Sequence, residues 1–314
     1  MLGRTGSSLF WMARYMERAE NIARLAQVGH RISITPDATG GYREDWKSTL
    51  TSAGCLEAFT ARGTKLTAAE VQRFLVFDRD HAGSIRSCLE AARTNGRAVR
   101  TALTREMWEA LNATWIGFAA IDPASVDPAK LAELLDWVRQ RSGQFRGAML
   151  GSLLRDEGFH FCQLGTFIER ADNTARILDV KYNVLLPVNE AMGGERNLHQ
   201  WDTILRSVSA VGSYRYFFRD RLRPRQVAEF LILRPEMPRS LRFCSDYIAP
   251  ALSTLAAMTD GGAHSLPLAD ALASDMRAAD LDVILREGLH AFLLDYLARN
   301  AAIAQAAATD YYFD

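Results

Sequence analysis

The sequence predicts an all-α fold, and three observations support this prediction. Several stretches place their apolar residues three or four positions apart, which is the spacing of one helix face. Short segments rich in glycine, proline and aspartate separate those stretches. No segment alternates apolar and polar residues over a length that would predict a strand. At 314 residues, the chain can bury a large core in one domain or in two.

The first helix is predicted over residues 7–33 and is the most informative element. Its apolar side chains fall on one side of a helical projection, and its arginines, glutamates and asparagine fall on the other. Ser7 and Ser8 precede the periodic run and predict an N-cap. Residues 35–41, with a proline and a Gly-Gly pair, end the helix. The element is therefore predicted to be amphipathic, with a polar face of mixed charge.

The remaining helices follow from caps, prolines and glycines. Thr67 and Glu70 form the pattern of a capping box, and the last predicted helix begins at Asp280. Residues 261–267 predict a loop, and the mixed arginines and aromatics of 214–225 predict core aromatics beside a solvated basic turn. In chain order, helices are predicted over residues 46–50, 55–61, 68–77, 80–97, 106–119, 129–154, 159–186, 201–211, 225–233, 238–250 and 280–308.

The polar face of the first helix recurs in the middle of the chain. Both copies read Glu-Arg-Ala-acid-Asn-x-Ala-Arg, starting at Glu17 and at Glu169, while their apolar neighbours differ. A solvated face tolerates many charge patterns, whereas a hydrogen-bonded network of guanidinium, carboxylate and amide groups tolerates few. We therefore predict that the two helices lie close together and pool these groups in a semi-buried polar site. The alternative is a solvated face of i,i+4 pairs, each worth about 0.2–0.5 kcal/mol.

Two further blocks recur at nearly the same separation. Residues 46–52 and 201–207 share Trp-x-x-x-Leu-x-Ser, and residues 74–88 resemble residues 230–244. A nearly constant separation over three blocks is typical of an internal duplication. The sequence thus predicts an internally duplicated helical bundle with pseudo-two-fold symmetry, built from repeats 1–156 and 157–314.

The composition limits the classes of partner. Lys plus Arg and Asp plus Glu both number 37, and this zero net charge argues against a nucleic-acid surface or an anionic membrane surface. No apolar run approaches the roughly 18 residues that a membrane span needs, and the amino terminus lacks the order of a signal peptide. The four cysteines are scattered, without a Cys-x-x-Cys pair, and predict reduced, buried thiols. We expect a cytoplasmic protein that binds neither nucleic acid nor membrane.

A metal site is the second alternative. Residues 157–160 and 287–290 both read Glu-x-x-His, the spacing found in di-iron carboxylate bundles, and Glu17 and Glu169 could supply the further ligands. The two motifs fall at non-equivalent places in the predicted repeats, so coincidence is the favoured interpretation. We expect no metal and keep a carboxylate-bridged, metal-dependent oxidase as an alternative.

Two patterns bear on anion binding. Arg4, Ser7 and Ser8 could hold an anion at the amino end of the first helix, although ordinary capping is the favoured interpretation. No Gly-x-x-x-x-Gly-Lys-[Ser/Thr] loop occurs, so we expect no ATP binding by that device.

Residues 1–5, the run 9–24 and the second motif at 169–173 together resemble the alpha-E domain family of bacterial proteins. The resemblance covers the whole chain. It implies an all-helical domain encoded beside, or fused to, circularly permuted ATP-grasp ligases, with transglutaminase-like peptidases and proteasome-like hydrolases as further neighbours. The implied setting is ATP-dependent amide-bond formation on a small amino acid or peptide, with ATP bound by the partner ligase.

Our favoured hypothesis is a non-ATPase component of such an amide (peptide) ligase system. Glu17 and Glu169 are the candidate catalytic residues, which would bind an amine or act as base. The candidate substrate-binding residues are Arg14, Arg18, Asn21, Arg24, Arg170, Asp172, Asn173 and Arg176. The first alternative is a scaffold in which the polar network only locks the two halves together. The sequence does not predict the substrate, the oligomeric state or whether the chain is itself an enzyme.

Overall fold

The computed structural model describes residues 3–33, 46–185, 195–259 and 261–313. Over these residues the fold is all-α, with fifteen α-helices and no strand, which confirms the predicted fold class. None of the helices in these ranges combines the length and apolar composition needed to cross a bilayer.

In chain order, the first eight helices are α1 (Gly3–Ser33), α2 (Trp46–Ser52), α3 (Leu56–Thr60), α4 (Ala68–Phe77), α5 (Ile85–Ala98), α6 (Arg105–Ala119), α7 (Pro128–Ser152) and α8 (Glu157–Leu185). The others are α9 (Glu195–Ser207), α10 (Val211–Phe218), α11 (Pro224–Ile232), α12 (Leu241–Thr259), α13 (Ser265–Ala278), α14 (Leu281–Glu287) and α15 (Leu289–Asp310). Short 3₁₀ turns lie at Arg100–Ala102 and Pro123–Ser125.

The chain divides into two compact units. The first comprises Met1–Glu169 with Tyr311–Asp314, and the second comprises Arg170–Asp310. The division falls inside α8 and so differs from the predicted repeat boundary at 156/157. That boundary, like the pseudo-two-fold symmetry, concerns the duplication of the sequence and stays a prediction.

Equivalent residues in the two units share local geometry. The hydroxyl groups of Ser84 and Ser240 each donate to the carbonyl six residues earlier, at 2.5 and 2.6 Å. Each also accepts the N–H of the residue three positions later, at 3.1 and 3.0 Å. Gly54 and Ser209, which follow the two Trp-x-x-x-Leu blocks, both have positive φ angles, of 68° and 54°. These equivalences support the internal duplication.

In the first unit, α1 packs mainly against α5 and α7, and α6 packs against the same two helices. Helix α1 begins at Gly3, earlier than predicted. Ser7 and Ser8 therefore lie inside α1, and the prediction that they form its N-cap is wrong. The last residues of the chain lie beside this helix start, which no sequence pattern indicated. A Cβ at position 3 would meet the carbonyl oxygen of Tyr312 at 2.3 Å, and the ring of Phe313 lies 5.3 Å from that of Phe10.

The first half of α8 lies against α1 because a glycine allows a close approach. A Cβ on Gly165 would lie only 2.2 Å from the carbonyl oxygen of Phe10. One turn earlier on α8, the thiol of Cys162 lies 3.7 Å from the Leu9 carbonyl. This contact sets the position of Glu169, one turn after Gly165 on the same helix.

In the second unit, α12 and α15 both pack on α13, and α9 contacts α10 and α11. Three details differ from the sequence prediction. Residues 265–278 form α13 although the sequence predicts a loop around Pro267, because proline is tolerated in a first helical turn where its missing N–H has no partner to lose. Helix α12 continues through Pro250 to Thr259. The last predicted helix is divided into α14 and α15 at Gly288, whose φ is 115°.

Candidate functional site

Glu169 lies between two arginines of α1. Arg18 donates from Nε to Oε1 at 2.6 Å and from Nη2 to Oε2 at 2.8 Å, forming a bidentate fork. Arg14 donates from Nε to Oε2 at 2.8 Å. The structure therefore brings together arginines from the first copy of the motif and the glutamate from the second.

The environment of Glu169 keeps it ionised. Its side chain is only 7% exposed, and this burial by itself raises the pKa. The positive charges and hydrogen bonds of Arg18 and Arg14 outweigh burial, so the pKa of Glu169 lies below its ordinary value. A general base works best with a pKa near the working pH. The geometry thus favours Glu169 as a group that positions two arginines and does not favour the predicted role as base.

Glu17 and Glu20 are bound by arginines from two helices. Arg146 of α7 donates from Nη1 to Glu17 Oε2 at 3.0 Å and also pairs with Glu20. Arg24 donates from Nε to Glu20 Oε1 at 3.0 Å. The Glu17 and Glu20 side chains are 1% and 0% exposed. The structure therefore holds Glu17 in an ion pair, as it does Glu169.

Sequence reasoning missed two of these groups. Glu20 lies inside the motif but is not among the predicted site residues. Arg146 lies outside both copies, on a helix that carries no repeat of the motif, so no sequence signal pointed to it. The hydroxyl of Ser142, one turn earlier on α7, lies 3.3 Å from the Met16 carbonyl and brings Arg146 beside α1.

We call this group the ionic cluster: Arg14, Arg18, Arg24, Arg146, Glu17, Glu20 and Glu169. Its three carboxylates are almost fully buried, whereas its arginine side chains are 11–28% exposed. Burying a carboxylate costs free energy unless cations and hydrogen-bond donors compensate it. Glu169 and Glu20 each contact two arginines, and Glu17 shares Arg146 with Glu20. The guanidinium groups of the cluster therefore keep part of their surface in solvent, whereas its carboxylates do not.

Arg14 has donors that the cluster does not use. Its guanidinium carbon lies 5.0 Å from the ring centre of Trp11 and 5.7 Å from that of Phe10, which are cation–π distances. Its Nε donates to Glu169, and its two Nη atoms make no hydrogen bond to the residues that the structure describes. An anion at this edge would meet a guanidinium already held in place.

The residues that follow Glu169 in the second copy of the motif make contacts inside the second unit. Arg170 donates from Nη1 to the Pro238 carbonyl at 3.3 Å. Arg176 pairs with Asp172 one turn away, with distances of 2.6 and 3.1 Å. Asn173 is 7% exposed, and its side-chain nitrogen is buried without a hydrogen bond to the described residues. These contacts fix the backbone before α12 and brace one helix face.

The other sequence-predicted groups lie as follows. Asn21 is 2% exposed on α1, so it faces the protein interior. Arg4 is exposed, and Ser7 and Ser8 are half-buried within the first turns of α1. Because α1 begins at Gly3, the N–H groups of these serines face carbonyls of the same helix. The structure therefore does not support the anion site suggested there.

The histidines of the two Glu-x-x-His motifs contact other protein side chains. The ring of His160 packs edge-on against Phe159, and His290 pairs through Nδ1 with Asp179 at 2.5 Å. No group of three or more His, Cys, Asp or Glu side chains in the described residues could hold a metal ion. All four cysteines are buried without a disulfide, and burial raises the pKa of the Cys88 and Cys162 thiols to about 12.

Comparison with known proteins matches residues 1–312 to the Alpha-E family, described as a predicted alpha-helical domain with a conserved ER motif. Glu17-Arg18 and Glu169-Arg170 are both Glu-Arg pairs. The chain is similar to the uncharacterized proteins Mb2597 of Mycobacterium bovis and MT2643 of Mycobacterium tuberculosis, each 24% identical over 321 residues. These alignments cover 93% of this chain and 34% of each relative, so the chain spans about a third of their length. No solved structure matches it significantly. The chain belongs to the Alpha-E family.

Proposed function

We propose that the chain is the substrate-binding, non-ATPase component of an ATP-dependent amide-ligase system. Its ionic cluster binds the carboxylate of a small amino acid or peptide, or the acyl phosphate formed from it. The partner is an ATP-grasp ligase, which supplies the ATP site, and a transglutaminase-like peptidase is a further proposed partner. The setting is cytoplasmic.

The observation that carries this proposal is the guanidinium of Arg14, which Glu169 holds through Nε while its Nη atoms have no acceptor among the described residues. Four arginines surround three buried glutamates, and the Nη atoms of Arg14 face the edge without a protein acceptor among the described residues. Planar guanidinium donors match the paired oxygens of carboxylates and phosphates. Arginines already fixed by buried glutamates lose little side-chain entropy when a ligand binds.

The length of the relatives is compatible with this role. The chain corresponds to about a third of each mycobacterial relative. A domain that works beside a ligase needs the chemistry of ATP in another part of the assembly, and longer relatives have room for it. In this proposal Glu17 and Glu169 position arginines, and the reaction itself takes place on the ligase.

A scaffold is the second candidate function, and the second copy of the motif favours it. Arg170 holds a backbone carbonyl and Arg176 pairs within its own helix, so neither contact requires a ligand. If the first copy were equally structural, the ionic cluster would only join α1, α7 and α8. The two candidates therefore differ in what Arg14 does.

The test compares Arg14→Gln with a matched control in a reconstituted reaction. A candidate ATP-grasp ligase from the same genome is assayed for ADP release and amide product, with and without the chain. The chain should accelerate product formation. Arg14→Gln should abolish that gain while its melting temperature stays within a few degrees of the wild type, and Arg105→Gln should retain it. Arg105 is a suitable control because its side chain is 81% exposed and pairs only locally with Glu109. A chain that leaves product formation unchanged would contradict the proposal.

A further inference from the structure

Two half-buried aromatic rings border the solvent edge of the ionic cluster. Trp11 and Tyr15 lie one turn apart on α1, and their rings stack at 5.5 Å with an angle of 30° between the ring planes. The buried ring of Phe10 meets the Trp11 ring edge to face, also at 5.5 Å. Two neighbouring rings therefore contact Trp11 and restrict the rotation of its side chain.

Arg14 contacts the Trp11 ring and Glu169 at the same time. Its guanidinium carbon lies 5.0 Å from the centre of the Trp11 ring, and its Nε donates to Glu169 at 2.8 Å. A planar group that is hydrogen-bonded at one edge and lies against a ring has little freedom to rotate. The two Nη atoms of Arg14, which make no hydrogen bond to the described residues, therefore keep one orientation.

Arg18 binds the same carboxylate in a different way. Its Nε and Nη2 both donate to Glu169, at 2.6 and 2.8 Å, so the fork uses Nε and one Nη. Its guanidinium carbon lies 5.8 Å from the centre of the Tyr15 ring, further than Arg14 lies from Trp11. Arg14 gives Glu169 only its Nε. The arginine that lies closer to its ring is thus the one whose Nη atoms have no acceptor among the described residues.

The ring and the arginine are absent together from the second copy of the motif. When the two copies are aligned, Gln163 stands in the place of Trp11 and Thr166 in the place of Arg14. Thr166 is 3% exposed and donates to the carbonyl of Cys162 in its own helix at 2.9 Å. The Glu-Arg-Ala-acid-Asn pattern is retained in the second copy without either side chain. The tryptophan and the arginine therefore form a pair that belongs to the first copy alone.

We propose that Trp11 is a positioning residue for an anion site at Arg14. Its ring holds the guanidinium so that both Nη atoms face the solvent edge and donate to two oxygens of one carboxylate or phosphate group. Trp11 acts through Arg14 and does not itself bind the ligand. This inference rests on the proposed function, because it needs an anion at Arg14, and it adds a residue that lies outside the repeated motif.

The test measures the affinity for inorganic phosphate and for acetate by equilibrium dialysis. The two anions distinguish the two ligands of the proposed function, since phosphate stands for the acyl phosphate and acetate for the free carboxylate. Trp11→Leu should weaken binding roughly two- to fivefold, as expected for a partly exposed cation–π contact, and Trp11→Phe should retain most of the affinity because it keeps a ring. Trp108→Leu is the matched control and should bind as the wild type does, since Trp108 contacts Arg100 in the same way at 5.4 Å.

Two further measurements separate positioning from a general effect on folding. In the Arg14→Gln background, Trp11→Leu should not lower the residual affinity further, because the ring acts through Arg14. The NMR order parameter of the Arg14 Nε–H group in the wild type needs no variant to fold. It should lie close to that of rigid backbone and well above that of Arg105, whose side chain is 81% exposed.

The outcomes distinguish this inference from the proposed function. Wild-type affinity in a folded Trp11→Leu protein, or an Arg14 side chain as mobile as Arg105, would overturn the role of Trp11 and leave the proposed function standing. Absence of saturable binding of both anions to the wild type would contradict the proposed function and this inference together.

Discussion

The two copies of the Glu-Arg-x-x-Asn motif place the same side chains in different surroundings. In the copy on α1, Arg18 reaches a glutamate on another helix, Glu169, and Glu17 receives an arginine from α7. In the copy on α8, Arg170 donates to a backbone carbonyl, and Arg176 pairs within its own helix. Arg18 thus pairs with a buried carboxylate on another helix, whereas its counterpart Arg170 contacts a backbone carbonyl. A repeated sequence can therefore keep its residues while their roles differ.

The largest contrast is expected between Glu169→Gln and Asp172→Asn. Removing the Glu169 charge leaves two guanidinium groups without their carboxylate. We expect the free energy of unfolding to fall by about 2–4 kcal/mol, slightly less than for a fully buried ion pair, because both arginines are partly exposed. The Asp172–Arg176 pair is 24% and 42% exposed, and its loss should cost less than about 0.5 kcal/mol. Urea unfolding followed by circular dichroism measures both. Equal losses would remove the difference between the copies.

The close approach of α1 and α8 gives a second contrast, between two glycines. In Gly165→Ala the new Cβ would lie 2.2 Å from the Phe10 carbonyl, so the helices must separate, at a cost of about 1–3 kcal/mol. At Gly147, on α7, an added Cβ would meet nothing within 4 Å, and Gly147→Ala should be neutral or stabilising by up to about 1 kcal/mol. Thermal unfolding measures the stability of the two variants relative to the wild type. A stable Gly165→Ala protein would contradict the close contact.

The pH dependence of stability should report the Glu169 ion pairs. The pKa of Glu169 is lowered in the folded protein, from an ordinary value of 4.5. The unfolded state therefore binds the proton more readily, and the stabilisation is complete above the unfolded pKa and is lost as the pH falls through the folded value. Between about pH 5 and pH 3, wild-type stability should fall more steeply than that of Glu169→Gln. Parallel curves would show that folding does not lower the pKa of Glu169.

Among the variants of the ionic cluster, Arg14→Gln should have the smallest effect on stability. Arg18 alone still gives Glu169 a bidentate partner, so the expected loss is below about 1 kcal/mol. Affinity for inorganic phosphate or acetate at the solvent edge should nevertheless fall, because Arg14 provides the Nη donors there. Equilibrium dialysis with each anion measures this, and Arg105→Gln should bind as the wild type does. A large loss of stability with unchanged anion binding would favour the scaffold.

The repeated motif was enough to predict that the helices of Glu17 and Glu169 are neighbours. The charged groups of each polar face need partners of opposite charge, and the other face supplies them. It could not reveal Arg146 or the carboxyl-terminal residues beside Gly3, since no repeated pattern marks these contacts. The sequence predicted the end of α1 at residue 33 but not its start at Gly3. The residues that contact Gly3 come from the carboxyl-terminal end of the chain. Pro267 suggested a loop where the structure has the first turn of α13.

The central claim is that arginines of the first copy hold the glutamate of the second. A double-mutant cycle with Arg18→Gln and Glu169→Gln tests it most directly, with free energies of unfolding measured in urea. The bidentate contact at 2.6 and 2.8 Å predicts a coupling energy of about 1 kcal/mol or more. Single-variant losses that add within about 0.3–0.5 kcal/mol would contradict it.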